Sequence, residues 1–230
     1  MATPTTLFEL ACDELGWGDP EGGLWFICIE ESEPWDKNAA DEVREHFRIR
    51  YFFRPVESDS VNNAGRKGVA VRAYTAKIIA GIRHGTIAEW RAEQSRMWKP
   101  RSMVAQANLY PLARPNAQTW PEYYKDLFGF GASDFSQYQE AVEERRFPRF
   151  QEARKQYNPK AIVCVGSSHR AEFARALGVD EPTRVVVPGK VYANEPERIL
   201  FVPFFSNRHM TDNLAQTIFD ELRQWGVRLP

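Results

Sequence analysis

Short runs of consecutive apolar residues recur along the chain, and each predicts a strand buried on both faces. Such runs, rich in β-branched and aromatic side chains, are typical of a mostly parallel sheet. Apolar residues at 51–53 that stop at Arg54-Pro55 indicate a short edge strand. The longer runs predict strands over residues 24–29, 102–108, 160–165, 185–187 and 199–202.

Between these runs, apolar residues recur at every third or fourth position, as in amphipathic helices. This spacing predicts a helix that carries Val71, Tyr74, Ile78 and Ile82. Further helices are predicted over residues 37–47, from Gly166-Ser167-Ser168 to Gly178, and from Thr211 to Gly226. A capping box formed by Thr119 and Glu122 predicts the start of another helix at Thr119. Residues 134–157 are predicted to be helical, with an interruption at Pro148.

The alternation of strands and helices predicts an α/β fold. We expect a three-layer sandwich, with a short, mainly parallel central sheet of about four strands and helices on both faces. Residues 1–230 are expected to form a single domain, with a helical insertion near 130–157. Ligands of such sheets bind outside the carboxyl ends of the strands. This rule selects the loops at 30–36, 108–115, 166–169 and 203–211.

The composition is that of an ordinary globular protein, with 43% hydrophobic and 27% charged residues. Disordered and collagen-like classes are therefore excluded. No apolar run approaches the roughly 18 residues of a membrane span, and the N-terminal residues lack a basic segment of the signal-peptide type. We therefore expect a cytoplasmic protein without a membrane partner, in which Cys12, Cys28 and Cys164 are buried thiols.

The net charge of −1 conceals an asymmetry. Residues 1–62 carry 5 basic and 14 acidic side chains, whereas residues 63–119 carry 10 basic and 2 acidic ones. Two interpretations remain open at this stage. Either the two segments pair in space, or the basic segment binds a polyanion such as nucleic acid.

The loop at 30–36 concentrates carboxylates: Glu30, Glu31, Glu33 and Asp36. Neighbouring carboxylates raise the pKa of one another, which suits a general base or a metal site. An acidic turn that caps the helix at 37 is the alternative. The four histidines, His46, His84, His169 and His209, are scattered, so no metal site is expected.

The other three loops each allow a structural and a chemical interpretation. Asn108 either reads the polar edge of an amide or pyrimidine, or forms an Asx turn. The segment from Gly166 contains Gly-x-Ser, but Arg170 stands where a nucleophile elbow needs a small residue, so Ser167 or Ser168 is better explained as a helix cap. The loop at 203–211 leads into a helix N-terminus, which favours an anion, while its two phenylalanines fit a core.

Taken in order, these loops resemble those of the uracil-DNA glycosylase superfamily, over residues 22–225. The similar segments are Phe26 to Ser32, Ala107 to Leu112, Lys160 to Glu172 and Phe204 to Met210. The chain departs from the family pattern at Cys28 and Glu31, which replace glycine and proline, and at Phe204 and Phe205, which replace histidine and proline. Iron–sulfur members need four cysteines, and this chain has three.

The resemblance implies a DNA repair enzyme that flips a damaged or deaminated base out of DNA and hydrolyses its N-glycosidic bond. It implies catalytic roles for Glu30, which would activate water, and for His209, which would replace the missing histidine. Asn108, Phe53 and Ser206 would bind the base. The implied DNA contacts are Arg208, the wedge Met210, and Arg66, Lys67, Arg72 and Arg101 from the basic segment.

The resemblance implies a monomer with DNA as partner, and neither cofactor nor metal. Two alternatives remain: a catalytically silent member of the fold that binds nucleic acid or nucleotides, and a small-molecule α/β enzyme. The glycosylase hypothesis requires Glu30, Asn108 and Ser206 to meet in one cleft wide enough for a nucleobase.

Overall fold

The computed structural model describes residues 6–21, 23–30, 40–41, 45, 52–54, 70–115, 119–206 and 208–230. The strands are β1 (Gly16–Gly18), β2 (Leu24–Cys28), β3 (Phe53–Arg54), β4 (Val104–Asn108), β5 (Ala161–Val165), β6 (Arg184–Val187), β7 (Val191–Asn194) and β8 (Ile199–Val202). The helices are α1 (Leu7–Asp13), α2 (Ala70–His84), α3 (Trp90–Gln94), α4 (Tyr124–Phe128), α5 (Phe135–Tyr157), α6 (Arg170–Leu177) and α7 (Asp212–Gln224).

The strands form one sheet in the order β3-β1-β4-β2-β5-β8-β7-β6. The central strands β4, β2, β5 and β8 are parallel, with Cys28 in register with both Asn108 and Val165. The α/β class and a parallel centre are therefore confirmed. The sheet is larger than the four strands expected, because short strands extend both edges: β1 lies antiparallel to β4, and β7 lies antiparallel to both β8 and β6.

Helices cover both faces of this sheet. Trp25 and Ile27 of β2 belong to a core shared with α1, α5 and α6, whereas Leu24, Phe26 and Cys28 belong to a core shared with α2 and α7. Alternate residues of one strand thus face opposite layers, as the pleat of a strand requires. This arrangement explains why β2 is apolar at every position: all five of its residues are buried.

Helix α5 is continuous from residue 135 to 157, so the expected interruption at Pro148 is wrong. Pro148 is exposed, and water can therefore solvate the carbonyl that its missing N–H leaves unbonded. The helix also belongs to the core, since Tyr138, Val142 and Phe150 are buried in the same cluster as Trp25. Helix α5 thus contributes to one layer of the fold, packed against the sheet.

Arg146 joins α5 to the sheet from inside this core. The side chain is 1% exposed, and its guanidinium donates to the backbone carbonyls of Asn108, Ala11, Cys12, Glu14 and Leu15. Burial lowers the pKa of Arg146 from its ordinary value. Carbonyl oxygens at the end of α1 and of β4 therefore surround a charge that would otherwise be unfavourable in the interior.

Most other predicted elements are found within a few residues of their expected ends. Gly178 closes α6 in the left-handed conformation, and the Thr211 side chain accepts from the Leu214 N–H at the start of α7. Two predicted caps are wrong. Helix α4 begins at Tyr124 rather than after Thr119, and no serine side chain caps the turn at 167–169. The predicted helix at 37–47 lies largely outside the described residues.

None of the helices within the described ranges is both long enough and apolar enough to cross a bilayer.

Candidate functional site

An open cleft of about 360 Å³ lies at the carboxyl ends of β2, β5 and β8. We call it the carboxyl-edge cleft; its lining is contributed by Ile29, Gly166 to Ser168, Gly189 and Lys190, Pro203 and Phe204, and Arg208 and His209. It lies where parallel sheets place their ligands. Two of the four loops selected from the sequence, 166–169 and 203–211, contribute to its described lining, and the turn between β6 and β7 completes it.

Gly166 sets the shape of the cleft floor. Its φ of +126° lies in a region that only glycine adopts readily. A Cβ atom there would approach within 2.6 Å of the Ile29 Cδ1 atom. The Gly166 N–H donates to the Val202 carbonyl at 2.8 Å, and the chain then turns directly into the 3₁₀ turn Ser167–His169. A side chain at this position would fill the space between β2 and β5.

The charge of the cleft is positive. Lys190, Arg208 and His209 are exposed, and the described lining contains no carboxylate. Ser167 and Ser168 open the helical turn that continues into α6, and the first N–H groups of such a segment carry partial positive charge. Cations and backbone donors together make this cleft suited to an anion.

The two phenylalanines of the last loop take opposite positions. Phe205 is 1% exposed and packs against the rings of Phe26 and Tyr74, with ring centroids 6.4 and 6.1 Å apart. Phe204 is 42% exposed and lines the cleft. One ring therefore stabilises the core, and the other presents an aromatic surface next to Arg208.

Glu30 lies just beyond β2, beside the cleft rather than in its lining. Its carboxylate accepts from Arg114 Nε at 2.7 Å and from Arg114 Nη2 at 2.9 Å. Burial raises the pKa of Glu30, while the charges of Arg114 and His169 act to lower it. Arg114 is 8% exposed, and its guanidinium lies 4.5 Å from the centre of the Phe135 ring. Both oxygens of the proposed catalytic carboxylate are thus engaged in an ion pair.

Asn108 is brought near Glu30, because β4 and β2 are neighbours and Asn108 pairs in register with Cys28. The residue is 7% exposed, and its carbonyl accepts from Arg146. Ser206 lies beyond β8, three strand spacings from β4, which corresponds to roughly 14 Å. Its hydroxyl is buried and has no hydrogen-bond partner among the described residues. Glu30 and Asn108 therefore lie at the ends of neighbouring strands, and Ser206 belongs to the loop after β8; none of the three is part of the described cleft lining.

Two residues predicted to contact base or DNA lie in the core. Phe53 is 5% exposed and packs against Trp25, with ring centroids 4.7 Å apart, near the β3 edge of the sheet. Met210 is 2% exposed, and its carbonyl accepts from the Tyr74 hydroxyl at 3.0 Å. Neither side chain lines the cleft: Phe53 lies on the edge strand β3, far from β8, and the loop that carries Met210 turns back onto α2 before α7 begins. In this conformation Met210 is not placed as a wedge, nor Phe53 as a stacking ring.

The remaining predicted DNA contacts do not gather at the cleft. Arg72 lies on α2 with its guanidinium 5.9 Å from the Trp98 ring. Arg101 is exposed but precedes β4, so it lies at the amino end of the strands, opposite the cleft. Arg66 and Lys67 lie outside the described residues. Among the predicted DNA contacts in the described residues, Arg208 reaches the cleft, and so does His209, which was predicted to be catalytic.

Sequence reasoning missed three residues of this region. Lys190 was not predicted, because the sequence assigns the Pro188-Gly189 turn no role beyond joining two strands. Arg114 gave no signal, because its partner Glu30 is 84 positions away. His169 was treated as one of several scattered histidines, although it faces Glu172, with Nδ1 and Oε1 3.5 Å apart. A hairpin turn at the carboxyl edge was the one signal from which Lys190 could have been predicted.

No group of three or more metal-ligating side chains occurs in the part of the chain that the structure describes. The three cysteines are buried and form no disulfide among the described residues. Burial raises the pKa of Cys12 to about 12 and that of Cys164 well above its ordinary value. Comparison with models of known protein families finds no match, and comparison with curated proteins finds none.

Proposed function

We propose that the protein binds nucleic acid, one nucleotide of which occupies the carboxyl-edge cleft. The observation that carries this proposal is the exposed Phe204 ring beside Arg208 and Lys190, in a cleft whose described lining has no acidic side chain. The ring supplies a stacking surface for a base. The two cations supply contacts for the phosphates on either side of it.

The electrostatic part of the proposal has measurable consequences. Binding that neutralises phosphates releases counterions, so affinity falls linearly with the logarithm of the salt concentration. Each lost phosphate contact reduces the slope of that dependence by about 0.7 for a single strand. Lys190 and Arg208 come from two different segments, the β6–β7 turn and the loop after β8, and each is proposed to contact a different phosphate.

The stacking part depends on Phe204 alone. Stacking of a base on an aromatic side chain contributes about 1–3 kcal/mol and tolerates any base. Phe204 is one of two large hydrophobic side chains exposed in the described residues; the other, Val185, lies on the edge strand β6. Val185 thus offers a matched control for loss of an exposed apolar group.

The test is the affinity for a fluorescent single-stranded oligonucleotide, measured by anisotropy over a range of salt concentrations. Lys190→Gln combined with Arg208→Gln is expected to weaken binding about tenfold and to flatten the salt dependence. Phe204→Ala is expected to weaken binding about fivefold or more without changing the salt slope. Lys125→Gln on α4 and Val185→Ala should bind as the unaltered protein does. Absence of binding at low salt would contradict the proposal and favour a small-molecule enzyme.

Hydrolysis of an N-glycosidic bond is the second candidate function. It is favoured by the position of Glu30, a carboxyl at the end of β2 whose pKa is raised by burial, as a general acid or base requires. His209 lies in the cleft, where it would stabilise a departing base. Asn108, on the strand next to Glu30, would read the edge of that base.

An oligonucleotide panel tests this second function. Strands that contain uracil, hypoxanthine, xanthine or an alkylated base are incubated with the protein and then treated with alkali, which breaks the strand wherever a base has been released. Activity that is lost in Glu30→Gln and Asn108→Ala would support the glycosylase. Binding without cleavage of any strand would contradict glycosylase activity and favour a protein that binds nucleic acid without catalysis.

A further inference from the structure

A second, larger cleft lies at the opposite edge of the sheet, at the amino ends of β5 and β8. Its volume is about 640 Å³, within the range of roughly 300–1,000 Å³ that is common for small-molecule sites. We call it the amino-edge cleft. It is formed by the last turn of α5, the end of α6 and the turn between β7 and β8.

Cations outnumber acids in this cleft. Its lining includes Arg154, Lys155, Lys160 and Arg198, but Glu197 is the one carboxylate among the described lining residues. Arg154 forms an ion pair with Glu197, and these two charges offset each other. Three formal positive charges remain, on two lysines and one arginine.

Part of this charge has a structural explanation. Helices α5 and α6 both end here, and each C-terminus carries about half a negative charge. Arg154 donates to the Leu177 carbonyl at 3.2 Å, and Lys160 donates to the Arg228 carbonyl at 3.2 Å. After both helix ends are counted, about two positive charges remain without compensation.

Arg198 is held in an unusual backbone conformation. Its φ is +54°, in the left-handed region that glycine and asparagine adopt most easily. Its N–H donates to the Glu195 carbonyl and its own carbonyl accepts from the Ile162 N–H, so the turn geometry is fixed on both sides. Glycine would satisfy this turn with less strain, and an arginine here places a guanidinium at the rim of the cleft.

We propose that the amino-edge cleft binds a small molecule through a phosphate monoester group. A phosphate monoester carries about −1.5 to −2 charges at neutral pH, which matches the uncompensated positive charge of the cleft. Lys155 and Arg198 bind the phosphate, and Pro159 and Pro196, which are not buried, line the space for its organic part. This site is independent of the proposed nucleic-acid site, because the strands between them separate the two edges of the sheet by roughly 15 Å.

The experiment is a titration of the ¹⁵N-labelled full chain with ribose 5-phosphate and, separately, with inorganic phosphate, followed by amide NMR. The expected result is saturable shifts of the Gly178 and Arg198 amides, with tighter binding of the ester than of the free ion. Arg198→Gly combined with Lys155→Gln is expected to weaken binding of ribose 5-phosphate about tenfold. The Arg198→Gly change relieves backbone strain, so the variant is expected to stay folded.

Lys190→Gln combined with Arg208→Gln is the matched control, because it removes two cations from the other cleft. This control should leave the shifts of Gly178 and Arg198 unchanged. The proposal is overturned if neither probe, at millimolar concentration, changes the chemical shifts of those two amides. It is also overturned if free phosphate binds as tightly as ribose 5-phosphate, or if the Arg198 and Lys155 variant binds ribose 5-phosphate as tightly as the unaltered protein does. None of these results bears on oligonucleotide binding at the carboxyl-edge cleft.

Discussion

Arg114 holds Glu30 through two parallel hydrogen bonds, from Nε to Oε2 at 2.7 Å and from Nη2 to Oε1 at 2.9 Å. The pair joins the loop after β4 to the end of β2, and both side chains are largely buried, with 9% and 13% exposed. This bidentate geometry is the strongest form of carboxylate recognition by arginine. It positions Glu30 beside the cleft and at the same time occupies both of its oxygens.

Removing Arg114 is therefore expected to leave a mostly buried carboxylate without its partner. Arg114→Gln should lower the free energy of unfolding by about 3 kcal/mol at neutral pH, as measured by urea denaturation. The control is Arg149→Gln, which removes an arginine from the exposed pair with Glu152 and should change the free energy of unfolding by less than about 1 kcal/mol. Equal effects of the two changes would contradict the structural role of the Glu30 pair.

The same substitution is expected to change how the free energy of unfolding depends on pH. Burial already raises the pKa of Glu30, and loss of Arg114 removes a charge that lowers it. A carboxyl whose pKa is higher in the folded than in the unfolded protein binds more protons when folded, so its contribution to stability falls as the pH rises from about 4.3 through the folded pKa. Arg114→Gln should therefore lose stability more steeply than the unaltered protein over this interval. Parallel profiles from urea denaturation at several pH values would contradict this prediction.

Arg146 is expected to be the most sensitive charged residue of the fold. Its guanidinium satisfies carbonyls at the end of α1 and of β4, so Arg146→Met leaves those oxygens buried without donors. The free energy of unfolding should fall by about 3–5 kcal/mol. Arg146→Lys should recover only part of this loss, because one ammonium group cannot reach both backbone segments. The measurement is urea denaturation followed by circular dichroism, and full recovery by lysine would contradict the geometry.

The left-handed conformation of Arg198 predicts opposite effects for two substitutions. Arg198→Gly should raise the free energy of unfolding by about 0.5–1 kcal/mol, since glycine adopts this conformation without strain. Arg198→Val should lower it by about 1–2 kcal/mol, since a β-branched residue is least compatible with positive φ. Thermal unfolding of the two variants distinguishes them. Equal melting temperatures would show that this turn carries no backbone strain.

Burial of all three cysteines predicts that the native protein resists thiol reagents. Cys12 and Cys164 are completely buried, Cys28 is 3% exposed, and the pKa of Cys12 is raised to about 12 by burial. At pH 8 a disulfide reagent should therefore label less than one thiol per chain, and all three cysteines after unfolding in urea. Rapid labelling of the native protein would contradict the assignment of these residues to the core.

The central strands could be predicted from the sequence because full burial leaves a continuous apolar run, as in β2 and β5. Strands β1 and β7 were not predicted: β1 is the tripeptide Gly-Trp-Gly, and it is ordered by pairing with β4 rather than by its own pattern. Pro148 predicted a break in α5, but packing of Val142 and Phe150 on either side of it outweighs the loss of one hydrogen bond.

The site was harder to predict than the fold, because it depends on which strands are neighbours. A cleft lies at the carboxyl edge selected from the sequence, and Arg208 and His209 line it. Phe53 and Met210 were assigned functional roles from their order along the chain, and the structure places both in the core. Contacts such as that between Arg114 and Glu30 join segments that are distant along the chain, and no local sequence pattern predicts them.

Photochemical cross-linking of a single-stranded oligonucleotide that carries iodouracil at one position tests whether a base stacks on Phe204 in the carboxyl-edge cleft. Iodouracil couples to aromatic rings in stacking contact, and mass spectrometry of the digested complex locates the linked residue. Binding in the carboxyl-edge cleft predicts that the cross-link falls on Phe204 and that Lys190→Gln combined with Arg208→Gln reduces its yield at a fixed protein concentration. A cross-link confined to residues outside this cleft, with a yield unaffected by those substitutions, would contradict nucleic-acid binding in the carboxyl-edge cleft.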